Sequence, residues 1–127
     1  MIELKNVTKI FGTGLNSCIA LNDVSISFRH AGLVAIMGPS GSGKSTLLNI
    51  IALLDKPSSG KYELFQNDAS KFSSSQIESH YKNTIGYLFQ HFYLMEGFTS
   101  FENVAIPLLN EGYSLSEATH RIQSLFA

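Results

Sequence analysis

Three consecutive stretches decide the fold: Leu33-Val34-Ala35-Ile36-Met37, then Gly38-Pro39-Ser40-Gly41-Ser42-Gly43-Lys44-Ser45-Thr46, then Leu47-Leu48-Asn49-Ile50-Ile51-Ala52-Leu53-Leu54. The first is apolar without alternation, which predicts a short strand buried on both faces, as at the centre of a parallel sheet. The last reads as a buried helix, ended by Lys56-Pro57-Ser58-Ser59-Gly60. Between them, Gly38 to Ser45 satisfies the pattern G-x-x-x-x-G-K-[ST] in full.

That spacing has a physical basis. Glycines let the backbone turn through φ values that other residues avoid. Successive N–H groups then point inward as an anion cradle, and the following helix aims the positive end of its dipole at the same point. Lys44 is placed to reach the β- and γ-phosphates as a point charge. Ser45 offers a hydroxyl to Mg²⁺, and Thr46 can bond an α-phosphate. A strand before and a helix after are the flanks this loop requires. The whole segment Gly38, Pro39, Ser40, Gly41, Ser42, Gly43, Lys44, Ser45 and Thr46 is therefore the candidate triphosphate site.

Working outward, Ile2, Leu4, Val7, Ile10 and Phe11 suggest an extended first segment, and Gly12 to Ser17 is turn-rich. Val24-Ser25-Ile26-Ser27-Phe28 alternates as a half-buried strand. Tyr62-Glu63-Leu64-Phe65 reads as a short strand, followed by a turn at Gln66-Asn67-Asp68. Ser73 to Lys82 reads as a polar surface helix. Ile85-Gly86-Tyr87-Leu88-Phe89 is a second candidate buried strand, ending at Gln90, with a loop over 91–98. Phe101 to Asn110 is helical in pattern despite Pro107. Ser114 with Glu117 forms a capping box, and the helix it opens carries Leu115, Ala118, Ile122 and Leu125 on one face.

Composition narrows the classes. The 127 residues include 9 Lys+Arg against 10 Asp+Glu, a formal charge of −1, with 44% hydrophobic and 15% charged residues. That is too apolar for disorder, and it lacks the basic excess that a nucleic-acid partner demands. The charged fraction lies below the usual ~25%, a hint that part of the surface is normally covered. One cysteine, Cys18, excludes an internal disulfide framework and a cysteine-built zinc site. No basic region followed by an apolar run marks a signal peptide, and no apolar stretch approaches the ~20 residues that cross a bilayer.

Asn6-Val7-Thr8-Lys9-Ile10-Phe11, Met37 to Asn49, Leu54-Asp55-Lys56-Pro57-Ser58-Ser59-Gly60, Ile85 to Gln90 and Phe101-Glu102-Asn103-Val104-Ala105-Ile106-Pro107-Leu108 together resemble the nucleotide-binding domain of ABC transporters. The nearest subgroup in appearance includes lipoprotein-releasing, macrolide-exporting and bacteriocin-exporting ATPases. The resemblance implies an α/β fold: a P-loop NTPase core with a partial parallel sheet and helices, N-terminal antiparallel strands and the start of a helical subdomain. It spans nearly all of residues 1–127 but only the N-terminal half, or a little more, of the family domain. It implies Mg·ATP as ligand, Phe11 as the ring that stacks on adenine, and Gln90 as the Q-loop glutamine, ligating Mg²⁺ and helping to place the attacking water. It further implies a membrane permease as partner, a homodimer or pseudo-dimer of nucleotide-binding domains, and a place on the cytoplasmic face of the membrane. The work so powered would be export of a peptide, lipoprotein or small amphiphile.

The departures matter equally. No Leu-Ser-Gly-Gly-Gln signature, Walker B strand with catalytic Glu, or switch histidine appears in the 127 residues. Ile50 to Asp55 imitates Walker B but continues the helix behind the loop, and Lys56-Pro57 follows in place of a carboxylate. His80, His91 and His120 lack the context of a switch. Met95-Glu96-Gly97-Phe98-Thr99 stands where relatives often have Pro, then Leu-Thr. The expectation is nucleotide binding with little turnover by residues 1–127 alone, and apolar faces left open to water. A non-hydrolysing interaction fragment shares every residue with that reading. A small P-loop kinase is a further alternative, since guanylate-kinase-like enzymes share Gly-Pro-Ser-Gly-x-Gly-Lys. Those enzymes start near the loop and need several arginines; here 37 residues precede Gly38, and Arg29 and Arg121 are the only two.

Overall fold

A computed structural model describes residues 1–126. It divides into two compact units, Met1–Ile85 and Gly86 onward.

The first unit is built on a four-stranded antiparallel sheet in the order β2-β1-β3-β4, from β1 (Ile2–Phe11), β2 (Cys18–Phe28), β3 (Ser59–Leu64) and β4 (Asn67–Asp68). A one-turn 3-10 segment, Gly14–Asn16, joins β1 to β2. The β1–β2 register is interrupted between Leu4 and Val7 and again on either side of Lys9. Side chains satisfy the backbone groups that these bulges release. The Asn6 N–H donates to Ser25 Oγ at 2.9 Å, the Asp23 N–H to Thr8 Oγ1 at 3.1 Å, and the Asn6 side-chain amide to Asp23 Oδ1 at 2.8 Å. Asn6 and Asp23 both have positive φ, a conformation their short polar side chains tolerate. The β3–β4 turn falls at Phe65 and Gln66, both left-handed, one residue earlier than composition suggests. Asn67 and Asp68 pair as strand instead.

Helix α1 (Lys44–Ile51) packs on one face of this sheet. Leu4, Val7, Leu21, Leu47, Ile50, Tyr62, Leu64 and Ala69 form the core, each large aliphatic side chain contributing about 1.5–3 kcal/mol on burial. The end of α1 is fastened by two tyrosines. Tyr62 Oη donates to the Ile51 carbonyl at 2.6 Å, and Tyr81 Oη to the Ala52 carbonyl at 2.7 Å. These are last-turn carbonyls without a helical partner. Tyr81 lies on α2 (Ser74–Asn83), which buries none of its residues and opens on a Ser73–Gln76 capping box.

Two expected strands are absent. Leu33–Met37 and Ile85–Phe89 pair with no strand among the described residues. Leu33, Met37 and Leu88 are 100, 87 and 94% exposed. A central parallel strand exists only where neighbours take its N–H and C=O groups on both sides, and neither run has a paired strand among the described residues. Ile36 and Ile85 alone of these two runs pack onto the core.

The second unit contains two packed helices, α3 (Ser100–Asn110) and α4 (Leu115–Phe126). Thr99 and Glu102 form a capping box that opens α3; Ser114 and Glu117 make the equivalent bonds before α4. The carboxyls of Glu102 and Glu117 are held below the usual range, chiefly by backbone and hydroxyl donors of Thr99 and by the Ser114 hydroxyl. Asn103 ties the preceding loop to α3, accepting from the Met95 N–H at 2.7 Å and donating to the Thr99 carbonyl at 3.0 Å. Ala105, Ala118 and Ile122 form the core, flanked by Phe101, Val104 and Leu108. Leu115 and Leu125 are 61 and 72% exposed, so only the middle of the expected apolar stripe is buried: the alanine contact brings the helices together there and leaves the ends of α4 uncovered.

Candidate functional site

The strand β2 and the helix α1 between them define the glycine-rich loop. Leu47 and Ile50 anchor α1 in the core, which fixes where the helix starts. Gly43 is its N-cap, left-handed at φ 85°. A Cβ at this position would collide with the Ala20 carbonyl oxygen and lie 2.9 Å from Leu21 Cδ2. The loop thus rests directly on the backbone of β2, and only glycine permits that approach. Gly41 is also left-handed, at φ 79°, but in open space.

No side chain caps α1, and its first turn holds no acidic residue. The Leu47 N–H, bonded to the Gly43 carbonyl at 2.9 Å, is the first helical donor with a partner. The amides of Lys44, Ser45 and Thr46 therefore stand at the positive end of the helix without intrahelical acceptors. They border a cavity of about 200 Å³ lined by Cys18, Ile19, Ala20 and the run Gly41–Thr46. The Lys44 ammonium folds over its own loop, donating to the Gly38 carbonyl at 3.0 Å, the Pro39 carbonyl at 2.6 Å and Ser42 Oγ at 3.4 Å. Each of those is a neutral acceptor, so an anionic oxygen arriving there would make a stronger, charge-assisted bond.

Phe11 ends β1 and pairs with Cys18, which lines the cavity. Phe11 is 45% exposed, so it is not a core phenylalanine. Lys9 Nζ stands 4.9 Å from the ring centroid. Cys18, Ile19 and Ala20 carried no signal in the sequence: their place at the cavity comes from the close approach of β2 to Gly43.

Residues 21–127 match the ABC transporter family. The chain belongs to that family. It is 37% identical over 127 residues to the macrolide export ATP-binding/permease protein MacB of Hyphomonas neptunium, covering 100% of this chain and 20% of that one. It is 39% identical over 125 residues to the ABC transporter ATP-binding protein MJ1508 of Methanocaldococcus jannaschii, covering 98% and 56%. Among solved structures it resembles the ATP-binding cassette MJ0796, a dimer bound to ADP and Pi, with a TM-score of 0.87 at 37% identity over 98% of this chain and 55% of that one. The chain spans about a fifth of MacB and just over half of the cassettes. A small P-loop kinase is thereby displaced as an alternative, and the α/β cassette fold with antiparallel N-terminal strands holds.

Within this ABC family chain the remaining sites distribute plainly. Gln90 is exposed, in the loop of the second unit that precedes α3, whereas Gly38–Thr46 belongs to the first. Asp55 follows the turn after α1, not a strand. It accepts from Lys9 Nζ at 2.6 Å and from the Lys56 N–H at 2.7 Å, which accounts for the carboxylate that imitates Walker B. His80 stacks on Phe72, with ring centroids 5.0 Å apart, and His91 meets Tyr93 edge-on. No group of three or more His, Cys, Asp or Glu side chains among the described residues could hold a metal. A divalent cation at the loop would take a hydroxyl and the ligand's own oxygens. No helix among the described residues is long and apolar enough to cross a membrane.

Proposed function

We propose that this chain is the nucleotide-binding part of an ABC-type ATPase, holding Mg·ATP in the loop Gly38–Thr46 and serving a membrane permease that exports a peptide, lipoprotein or small amphiphile. The single observation that carries the reading is the uncapped start of α1, whose free amides and folded Lys44 ammonium border one small cavity. Lys44 takes the β- and γ-phosphates, the loop amides and Thr46 take the remaining phosphate oxygens, and Phe11 receives adenine. Ser45 Oγ is the Mg²⁺ ligand the loop offers; the ion would supply charge neutralisation on the phosphates.

The permease partnership rests on likeness: MacB carries ATP-binding and permease functions in its name. Pairing of two such domains rests on the dimeric state of the MJ0796 cassette. A location at the cytoplasmic face of the membrane is part of the same proposal and is supported only by the likeness to MacB. Among the described residues no carboxylate lines the loop cavity to polarise an attacking water, so the expected behaviour of residues 1–127 alone is binding with little turnover.

Titration calorimetry on the folded chain tests the binding reading. A charge-assisted bond is worth about 1.5–3 kcal/mol, so Lys44→Ala weakens Mg·ATP by about ten- to a hundredfold. Absence of heat with folded wild type, or equal affinity in Lys44→Ala, refutes it. Steady phosphate release by residues 1–127 would refute the low-turnover expectation.

A further inference from the structure

We propose that Lys9 is a positioning residue for the nucleotide's base: its ammonium occupies one face of the Phe11 ring and fixes that ring as the platform for a purine. The proposal rests on the nucleotide reading above. Lys9 and Phe11 lie two residues apart on β1. The Lys9 side chain is only 13% exposed, which is unusual for lysine, and its Nζ makes three defined contacts. It donates to Asp55 Oδ1 at 2.6 Å and to the Lys56 carbonyl at 2.8 Å, and it stands 4.9 Å from the Phe11 centroid. The Asp55 carboxylate is itself oriented by the Lys56 N–H at 2.7 Å.

The ammonium is thus held from one side by a carboxylate and a carbonyl and turned toward an aromatic ring. A cation over one face attracts the ring's π electrons and restrains the ring's rotation. A half-exposed phenylalanine otherwise samples several rotamers, and binding a base would have to order it; holding it in advance removes that cost. The arrangement also links the two ends of the ligand. Asp55 and Lys56 close the turn that leaves α1, whose other end presents the phosphate loop. One helix and its exit turn therefore set both the phosphate site and the ring.

The test separates base from phosphate. Affinities of the 127-residue chain for Mg·ATP and for magnesium tripolyphosphate, which has no base, are measured by calorimetry. The expected result is that Lys9→Met weakens ATP about three- to tenfold and leaves tripolyphosphate in place, whereas Lys44→Ala weakens both. Lys9→Arg, which can keep the carboxylate and the ring, restores most of the lost ATP affinity. In a Phe11→Ala background Lys9→Met has no further effect. Should Lys9→Met fail to fold, Asp55→Asn stands in: it keeps the lysine, frees the ammonium and gives the same ATP-selective loss. The proposal is overturned if Lys9→Met weakens ATP and tripolyphosphate equally, leaves ATP unchanged, or still acts without Phe11. Wild type that binds both ligands equally removes the base platform and spares the phosphate site; wild type that binds neither removes the nucleotide reading as well.

Discussion

Gly43→Ala is the sharpest perturbation of the site. The residue sits at φ 85°, where alanine costs about 1–2 kcal/mol relative to right-handed backbone. Its new methyl would overlap the Ala20 carbonyl oxygen, a backbone atom, and come within 2.9 Å of Leu21 Cδ2. Leu21 is a core residue, so relief requires β2 or the start of α1 to move, an overpacking cost of about 1–3 kcal/mol. The sum, about 2–5 kcal/mol, is a large share of the stability of a small domain. Gly41→Ala is the internal control. It has a similar φ of 79° but nothing within 4 Å of the added methyl, so only the backbone cost of about 1–2 kcal/mol applies. Urea unfolding followed by circular dichroism, with Mg·ATP calorimetry on the same samples, reads both. Gly43→Ala should lose clearly more stability than Gly41→Ala, and more ATP affinity. Equal midpoints for the two variants would refute the claim that the loop rests on β2.

Burial, with Tyr81 beside it, pushes the Tyr62 phenol up to about 12 from 10.0, so the folded state favours its proton. Its contribution is full below about pH 10 and is lost as pH rises toward 12, on the order of 3 kcal/mol. Denaturant melts from pH 9 to about 12 should show this slope in wild type and a shallower one in Tyr62→Phe, which is also about 1–3 kcal/mol less stable at neutral pH because the Ile51 carbonyl loses its donor; parallel slopes would contradict the assignment. At the other unit, Thr99→Ala removes the cap of α3 and should cost about 1 kcal/mol, seen as faster hydrogen exchange at the Glu102 and Asn103 amides. In the same variant, an NMR titration should find the Glu102 carboxyl moved upward, since a Thr99 donor that holds it down is gone.

Local chemistry made part of this structure legible in advance. The helix behind the Gly38–Thr46 loop and the two helices of the second unit, the last with its Ser114–Glu117 cap, follow from patterns a few residues long, and the structure contains these helices at Lys44–Ile51, Ser100–Asn110 and Leu115–Phe126; the Thr99–Glu102 cap went unread. Leu33–Met37 and Ile85–Phe89 read as strands yet pair with none among the described residues, because an apolar run reports what a strand needs and not which segment pairs with it. β2 is longer than its alternation suggests: Cys18 to Asp23 pair with β1 through bulges, and a bulge breaks the period of two on which the pattern depends. The Lys9–Asp55 pair was invisible for a different reason. It joins residues 46 apart in sequence, and no local spacing encodes such a contact.

The two halves of the phosphate loop are held to different degrees. Its C-terminal half is seated: Gly43 rests on Ala20, and Leu47 and Ile50 pull α1 into the core. Its N-terminal half is carried by Leu33–Met37, which has no strand partner among the described residues and of which only Ile36 packs inward. The Lys44 ammonium bridges the halves through the Gly38 and Pro39 carbonyls. A phosphate that draws the ammonium away would break that bridge just where the backbone is least supported. Ordering each freed residue costs about 1–2 kcal/mol, so part of the binding energy would go into fixing residues 33–38. Lateral pairing of Leu33–Met37 would remove that cost before the ligand arrives. The expected outcome is a coupling of the two: a segment that pairs with Leu33–Met37 should raise Mg·ATP affinity in calorimetry, and an unchanged affinity would contradict it.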